Sequence, residues 1–188
     1  DIMKTALIII DIQNDYFEGG KHELFHPVEA AQNAEKVLNA FREKKLPVFH
    51  VQHIMDFEGA PFFQKGTKGA EIHDLVKPID SPYEKLVIKA APNSFLNTIL
   101  KGELDKADIN DVVICGMMTH MCVDTTVRAC ADYGINVTLI SDTCTTCDLE
   151  YNNTVIPAQV VNDTYMASLA QGFANVVTAQ IFLNSFNN

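Results

Sequence analysis

Basic side chains are scarce in this sequence. Its 188 residues include 14 Lys and Arg against 24 Asp and Glu, which gives a formal net charge of −10 at pH 7. Such a surface repels phosphate backbones and anionic lipids, and no basic cluster on a candidate helix offsets it. Nucleic acid and membrane surfaces are therefore not expected as partners.

Long apolar runs are missing as well. No stretch reaches the ~18 residues that a membrane-spanning helix needs, and the opening DIMKTALIII lacks the basic flank and cleavage site of a signal peptide. Five cysteines at irregular spacing make an odd count, and a domain of this length does not need disulfides. We therefore expect free thiols and a cytoplasmic protein without a membrane span.

What the sequence contains is a regular alternation of apolar runs and amphipathic stretches. Strands are predicted at 5–12, 46–52, 84–90, 111–116, 135–141 and 174–178, and helices at 28–45, 94–104, 119–133, 157–172 and the C terminus. This alternation predicts one α/β domain over residues 1–188, doubly wound around a parallel sheet. Segment 54–82, rich in Gly and Pro, is predicted to be a long functional loop.

Three reactive side chains fall at one edge of the predicted sheet. Asp11 and Lys89 lie at the ends of the first and third strands, and Cys122 follows the fourth strand after a short turn. Ligands of open parallel sheets bind outside the carboxyl ends of the strands, so an acid, an amine and a thiol there predict a nucleophilic site. Each residue also has a structural interpretation: a turn cap, a solvated charge and a core thiol, respectively.

The turn before Cys122 predicts an activated thiol. Thr119 is placed to cap the predicted helix 119–133, which puts Cys122 in the first helical turn. Free amides and the positive helix end lower a thiol pKa and can hold an oxyanion. In this interpretation Asp11 is the base or orienter for the thiol proton, and Lys89 is the stabilising cation.

Four segments together resemble the isochorismatase-like cysteine hydrolases, over about residues 5 to 183: IIIDIQNDYF (8–17), KGAEIHDLVKP (68–78), VIKAAPNSFLNT (87–98) and VVICGMMTHMCVDTTVRACADYG (112–134). The resemblance implies a Rossmann-like three-layer α/β/α sandwich with a six-stranded, mainly parallel sheet. It implies a catalytic triad of Asp11, Lys89 and Cys122 and a cis peptide bond between Met117 and Met118. It also implies an oxyanion hole of the backbone amides of Met118 and Cys122. A small-molecule substrate and a homo-oligomer, a dimer or tetramer, are expected.

The resemblance leaves the reaction open. Amidase-type members attack a carbon-nitrogen bond through the cysteine and form an acyl-enzyme, whereas true isochorismatases cleave a vinyl ether by acid catalysis and typically lack the cysteine. Cys122 favours hydrolysis of an amide-like or ureide-like small molecule. A vinyl-ether hydrolase and a non-catalytic binding protein on the same scaffold are the alternatives. No cofactor is expected, since the turn after the first strand lacks the G-x-G-x-x-G of dinucleotide binding.

No metal is expected either. Nicotinamidases hold a metal through an Asp-x-His pair after the second strand, and this chain reads HVQHIMDFEG there. His50 and His53 are three residues apart, so on a strand they point to opposite faces.

Substrate contacts are predicted for residues beside the triad and in the irregular segment: Gln13, Phe17, His53, Phe95, Thr119 and His120, with Phe62, Phe63 and Gln64 as further candidates. Helix packing for Phe95 and a helix-surface position for His120 remain open. The remaining cysteines are interpreted as core residues (Cys115, Cys130) or as incidental (Cys144, Cys147).

Overall fold

The computed structural model describes residues 4–188, and residues 1–3 of the predicted domain lie outside that range. Its strands are β1 (Thr5–Ile10), β2 (Val48–His53), β3 (Glu84–Lys89), β4 (Asp111–Met117), β5 (Asn136–Thr145), β6 (Leu149–Tyr151), β7 (Thr154–Ile156) and β8 (Asn175–Val177). Its α-helices are α1 (Pro27–Glu43), α2 (Leu100–Lys106), α3 (Asp124–Asp132), α4 (Ala158–Leu169) and α5 (Ala179–Phe186). Within residues 4–188 no helix is long and apolar enough to cross a bilayer.

Six of these strands form a single parallel sheet in the order β3-β2-β1-β4-β5-β8. The strand β1 is the unbroken apolar run TALIII, and its residues 6–10 are all buried. A parallel strand with both faces covered requires such a run, because helices pack on each side of it. The predicted α/β fold with a six-stranded sheet is confirmed.

Helices cover both faces of the sheet and complete three layers. On one face α1 packs over alternate β1 residues such as Leu7 and Ile9, and α5 packs against α1 and β5. On the other face Ile8 and Ile10 pack with apolar side chains of α2, α3 and α4, among them Leu104, Val127 and Met166. All five cysteines are free thiols, as expected.

Two elements differ from the sequence-based prediction. Helix α2 begins at Leu100 rather than at residue 94, because Ser94 is bound to the Thr126 hydroxyl and Asn97 has a left-handed φ of 55°. The β6–β7 hairpin was not predicted. Its turn residues, Asn152 and Asn153, have φ values of 51° and 60°, the conformation that tight hairpin turns select.

The predicted long loop 54–82 is irregular but anchored. It contains one 3-10 turn, Lys68–Ala70, and it is fastened to the segment after β1 by the buried carboxylate of Asp15. Asp15 Oδ2 accepts a hydrogen bond from Phe63 N at 2.7 Å, and Oδ1 accepts one from Lys21 N at 3.1 Å. One carboxylate therefore holds two loops together beside the carboxyl edge of the sheet.

Gly69 gives a test of this anchor. A Cβ at position 69 would lie 2.1 Å from Asp15 Oδ1, and the carboxylate cannot move without losing its two amide partners. We expect Gly69→Ala to lower the free energy of unfolding by about 1–3 kcal/mol. The matched control is Gly102→Ala in α2, where a Cβ meets nothing within 4 Å. That change should be neutral or stabilise by up to about 1 kcal/mol. Urea denaturation measures both, and equal effects would contradict the anchor.

Candidate active site

Four adjacent strands each deliver one reactive side chain to the carboxyl edge of the sheet. Lys89 and His53 are the last residues of β3 and β2 and are register partners. Asp11 directly follows β1, and Cys122 follows β4 after a short turn. The structure thus brings together the three predicted residues and adds His53 between them.

The Lys89 ammonium lies at the centre of this group. Its Nζ is 2.9 Å from Asp11 Oδ2, 3.0 Å from His53 Nδ1, 3.0 Å from the Ala91 carbonyl and 3.2 Å from Cys122 Sγ. The Lys89 and Asp11 side chains are both fully buried. An ammonium has three protons, so four acceptors compete for them.

Asp11 is held as a carboxylate although it is buried. Burial alone would raise its pKa, but the charge of the Lys89 ammonium lowers the pKa below its usual value. Its second oxygen, Oδ1, has no hydrogen-bond partner among the described residues. The backbone at Asp11 is left-handed, with φ of 54°. The site therefore contains an ionised base with a free lone pair.

The thiol of Cys122 is not activated in the way the sequence predicts. Burial raises its pKa, the Asp11 carboxylate raises it further, and Lys89 opposes both. The predicted lowering of the thiol pKa is therefore wrong. The sulfur lies in an enclosed cluster beside a carboxylate, and burial is the largest cause of its raised pKa.

The turn that carries Cys122 also differs from the predicted capped α-helix. Residues Thr119–Val123 form a π-helical turn preceded by Met118, whose carbonyl accepts from Val123 N at 3.3 Å. Thr119 is not the cap, because its hydroxyl donates to Asn162 Oδ1 at 2.6 Å. The peptide bond between Met117 and Met118 is cis.

Gly116 sets the distance between the strands that carry Asp11 and Cys122. Its φ is 139°, and a Cβ there would lie 2.1 Å from the Ile10 carbonyl. Any side chain at this position would push β4 away from β1. A glycine therefore allows the acid and the thiol to approach each other.

Two predicted substrate contacts have other partners in the structure. Gln13 is fully buried, and its amide binds both backbone groups of His53, each at 2.8 Å, and the Ala70 carbonyl at 2.9 Å. Thr119 is fully buried against Asn162. Gln13 thus holds the segments at His53 and Ala70, and Thr119 holds its own turn against α4. A substrate contact of either side chain stays a prediction.

The remaining predicted contacts lie around the site. Phe17 stacks on His73 with ring centroids 4.0 Å apart, and Phe95 packs edge to face on Tyr133 in the core that includes Cys122. His120 is half-buried and shares a 2.6 Å hydrogen bond with the Thr146 hydroxyl. Of the further candidates, Phe63 packs on the His53 ring at 5.9 Å, Phe62 packs on Phe63, and Gln64 bridges to Met55.

A cleft adjoins the cluster at the ends of β2 and β3. It has a volume of about 660 Å³, and its lining residues include Lys89, Ala91, Ile54, Ile88 and Leu96. Its lining is largely apolar, as in sites for small organic molecules. Ala91, whose carbonyl accepts from Lys89 Nζ, thus links the cleft to the cluster.

The donor atoms of Asp11, His53 and Cys122 all lie within 4.8 Å of one another, a spacing that a metal ion could bridge. Lys89 Nζ already forms a hydrogen bond with one atom from each of these side chains. A metal would have to displace this buried ammonium, so the residues present favour the ammonium. His50 lies apart and pairs with Glu84 at 2.7 Å.

Sequence reasoning placed His53 among the substrate contacts and missed its bond to Lys89. The signal was available: His53 ends the second strand at the edge where the first and third strands deliver Asp11 and Lys89. The Ala91 carbonyl, Asn162 and Thr146 were also missed. Their roles depend on loop geometry that has no periodic signal in the sequence.

Comparison with known proteins supports one family. The sequence model of the isochorismatase domain matches residues 5–180. YddQ, an uncharacterized isochorismatase-family protein of Bacillus subtilis, is 45% identical, and the match covers 96% of this chain and 99% of YddQ. A crystal structure of an isochorismatase-family protein from Oleispira antarctica is 41% identical, covers 98% of each chain and superposes with a TM-score of 0.93.

More distant relatives include named hydrolases. A streptothricin hydrolase of Streptomyces noursei is 29% identical, covering 88% of this chain and 56% of that protein. Nicotinamidase 3 of Arabidopsis thaliana is 25% identical, covering 92% of this chain and 84% of that protein. The domain match, the close relatives and the fold agree, and the chain belongs to the isochorismatase family of hydrolases.

Proposed function

We propose that this protein is a cysteine hydrolase that cleaves a carbon-nitrogen bond, amide-like or ureide-like, in a small molecule. The main support for this proposal is the contact of Cys122 Sγ with Lys89 Nζ at 3.2 Å. The Asp11 carboxylate lies beside them, and its Oδ1 has no hydrogen-bond partner among the described residues. A nucleophile, a base and a cation in contact are the parts that covalent hydrolysis requires.

The first half of the reaction forms an acyl-enzyme. Because the thiol pKa is raised and the Asp11 pKa is lowered, the proton leaves sulfur as sulfur attacks the carbonyl carbon. Asp11 takes the proton, and Lys89 stabilises the negative charge on sulfur. The backbone amides of Met118 and Cys122 are the proposed donors to the oxyanion. The carbon-nitrogen bond then breaks, and the protonated Asp11 returns its proton to the leaving nitrogen.

The second half releases the acid. Water attacks the thioester carbon while Asp11 accepts a proton from that water. The carbon-sulfur bond breaks, the acyl group leaves as a carboxylic or carbamic acid, and Cys122 regains its proton. Asp11 thus acts as base and acid in turn, the usual role of a single carboxylate in such cycles.

The named relatives support hydrolysis without naming the substrate. Streptothricin hydrolase and nicotinamidase 3 carry hydrolase names, and both are less than 30% identical to this chain. A panel of nicotinamide, ureidoacrylate-like and carbamoyl compounds, with isochorismate included, identifies the reaction class. Turnover of isochorismate alone would select the vinyl-ether alternative. Binding without turnover would select a non-catalytic protein.

Alkylation tests the nucleophile directly. We expect iodoacetamide to inactivate the enzyme in step with labelling of Cys122, slowly near neutral pH and faster as the pH rises. The raised thiol pKa leaves little thiolate near neutral pH. Mass spectrometry locates the label. Cys147→Ser is the control, because Cys147 is the partly exposed thiol and lies outside the cluster. Full activity after complete labelling of Cys122 would eliminate the acyl-enzyme and favour acid catalysis.

Oligomeric state and location stay predictions. The edge strand β3 exposes Leu86 and Ile88, and light scattering coupled to gel filtration would test the expected dimer or tetramer. Fractionation of the source cells would test the expected cytoplasmic location.

A further inference from the structure

His53 is the most exposed residue of the cluster, at 6% against 3% for Cys122, 2% for Lys89 and 0% for Asp11. The side chains of Asp11 and Lys89 are 0% exposed, whereas that of His53 is 8% exposed. Within residues 4–188, His53 Nε2 makes no hydrogen bond. The fully buried polar atoms without a partner include His50 Nδ1 but not His53 Nε2, so His53 Nε2 retains some exposure. His53 Nε2 is therefore the ring atom that a molecule entering the site can reach.

The other ring nitrogen has a fixed role. His53 Nδ1 lies 3.0 Å from Lys89 Nζ, and an ammonium can only donate, so Nδ1 accepts. Nδ1 is also 3.6 Å from Asp11 Oδ2 and 3.9 Å from Cys122 Sγ. Because Nδ1 accepts, Nε2 is the ring nitrogen that carries the N–H.

The backbone of His53 is held on both sides. Gln13 Oε1 accepts from His53 N, and Gln13 Nε2 donates to the His53 carbonyl, each at 2.8 Å. Register pairing places Lys89 directly beside His53 on β3. Two neighbouring segments therefore fix the position of His53. A residue that orients another group needs such support.

We infer that His53 is a positioning residue that holds the Lys89 ammonium through Nδ1 and thereby presents Nε2–H to a hydrogen-bond acceptor of the substrate. The substrate must then offer an uncharged acceptor, such as an amide or ureide oxygen, opposite Nε2. The contact of Nε2–H with the substrate rests on the proposed function, and the positioning of Lys89 does not.

Three variants separate the two ring nitrogens. His53→Asn keeps an acceptor near the Nδ1 position and removes the donor, His53→Gln keeps a donor near the Nε2 position, and His53→Leu removes both. His50→Gln is the matched control, because His50 is buried in the same strand but pairs with Glu84.

The first measurement needs no substrate. The pH profile of Cys122 alkylation should move to higher pH by about one unit in His53→Leu and His53→Gln, since the ammonium is no longer held against the sulfur. His53→Asn and His50→Gln should keep the wild-type profile. An unchanged profile in a folded His53→Leu protein would overturn the positioning role, whatever reaction the enzyme catalyses.

The second measurement uses a carbon-nitrogen substrate identified from the panel. We expect kcat to fall about 10²-fold in His53→Leu, and KM to rise in His53→Asn while the alkylation profile stays normal. Normal KM in His53→Asn would overturn the donor role. If the wild type cleaves no such bond, the proposed function fails, and the alkylation profile still decides whether His53 positions Lys89.

Discussion

Replacing Asp11 with Asn should lower kcat by about 10²–10⁴, a rise of ~3–5 kcal/mol in the barrier. Asn has nearly the same shape and tolerates the left-handed backbone at this position, where φ is 54°. It lacks the basicity that removes the thiol proton. KM should change much less than kcat. Steady-state kinetics on the verified substrate measures both.

The control for this experiment is Asp124→Asn. Asp124 begins α3 directly after the Cys122 turn and pairs with Arg128 at 3.0 Å. The substitution therefore removes a nearby charge without changing a residue of the cluster. Assays must be made where urea denaturation shows each variant fully folded, because Asp11→Asn also leaves Lys89 without its buried counter-charge. Near-full activity of Asp11→Asn would show that Asp11 is not the catalytic base and only balances the charge of Lys89.

Lys89→Met should have the largest effect on stability. It leaves the Asp11 carboxylate buried without a cation, and breaking a buried pair in this way costs about 3–5 kcal/mol. The matched control is Lys85→Met on the same strand. Lys85 is half-exposed and pairs with Glu103, so its loss should cost less than about 1 kcal/mol.

The pH dependence of the Lys89→Met effect has a definite sign. In the wild type the folded pKa of Asp11 lies below that of an unfolded aspartate, so Asp11 adds stability above the unfolded pKa, and this stability is lost as the pH falls through the folded pKa. Without Lys89, burial raises the folded pKa above the unfolded one. The carboxyl group then stabilises the fold when protonated, and stability falls as the pH rises through the new pKa.

The difference in unfolding free energy between wild type and Lys89→Met should therefore shrink as the pH falls from about 7 to 4. Urea denaturation across this range, with Lys85→Met measured in parallel, gives the difference directly. A pH-independent difference would mean that Asp11 is not the group that Lys89 neutralises.

Sequence patterns predicted the fold where they reflect burial. The run at β1 is apolar at consecutive positions because both faces are covered, and the spacing in α1 reflects one buried face. Elements that depend on particular tertiary bonds were misjudged. The start of α2 is set by the Ser94 contact with Thr126, which joins residues 32 positions apart.

The sequence was sufficient to predict which side chains lie together in the site. Parallel strands place their ends at one edge, so Asp11, Lys89 and Cys122 were expected together. The protonation state of Cys122 was not predictable, because it depends on burial and on the balance of Asp11 against Lys89. The bonds of Gln13 to the His53 backbone and of Thr119 to Asn162 were not predictable, because a polar residue beside a site looks the same in sequence whether it contacts a ligand or another part of the protein.

The order of strands in the sheet also determines how long each side chain of the cluster must be. Strands lie about 4.8 Å apart, so β3 is roughly 9–10 Å from β1. The longest side chain of the cluster, Lys89, comes from this outermost strand and reaches past His53 to Asp11, while the short Asp11 and Cys122 come from the adjacent strands β1 and β4. A cation with a shorter stem at position 89 would not reach the sulfur. Redesign of this site therefore has freedom in the residues that line the cleft and little in the length of the side chain that crosses it.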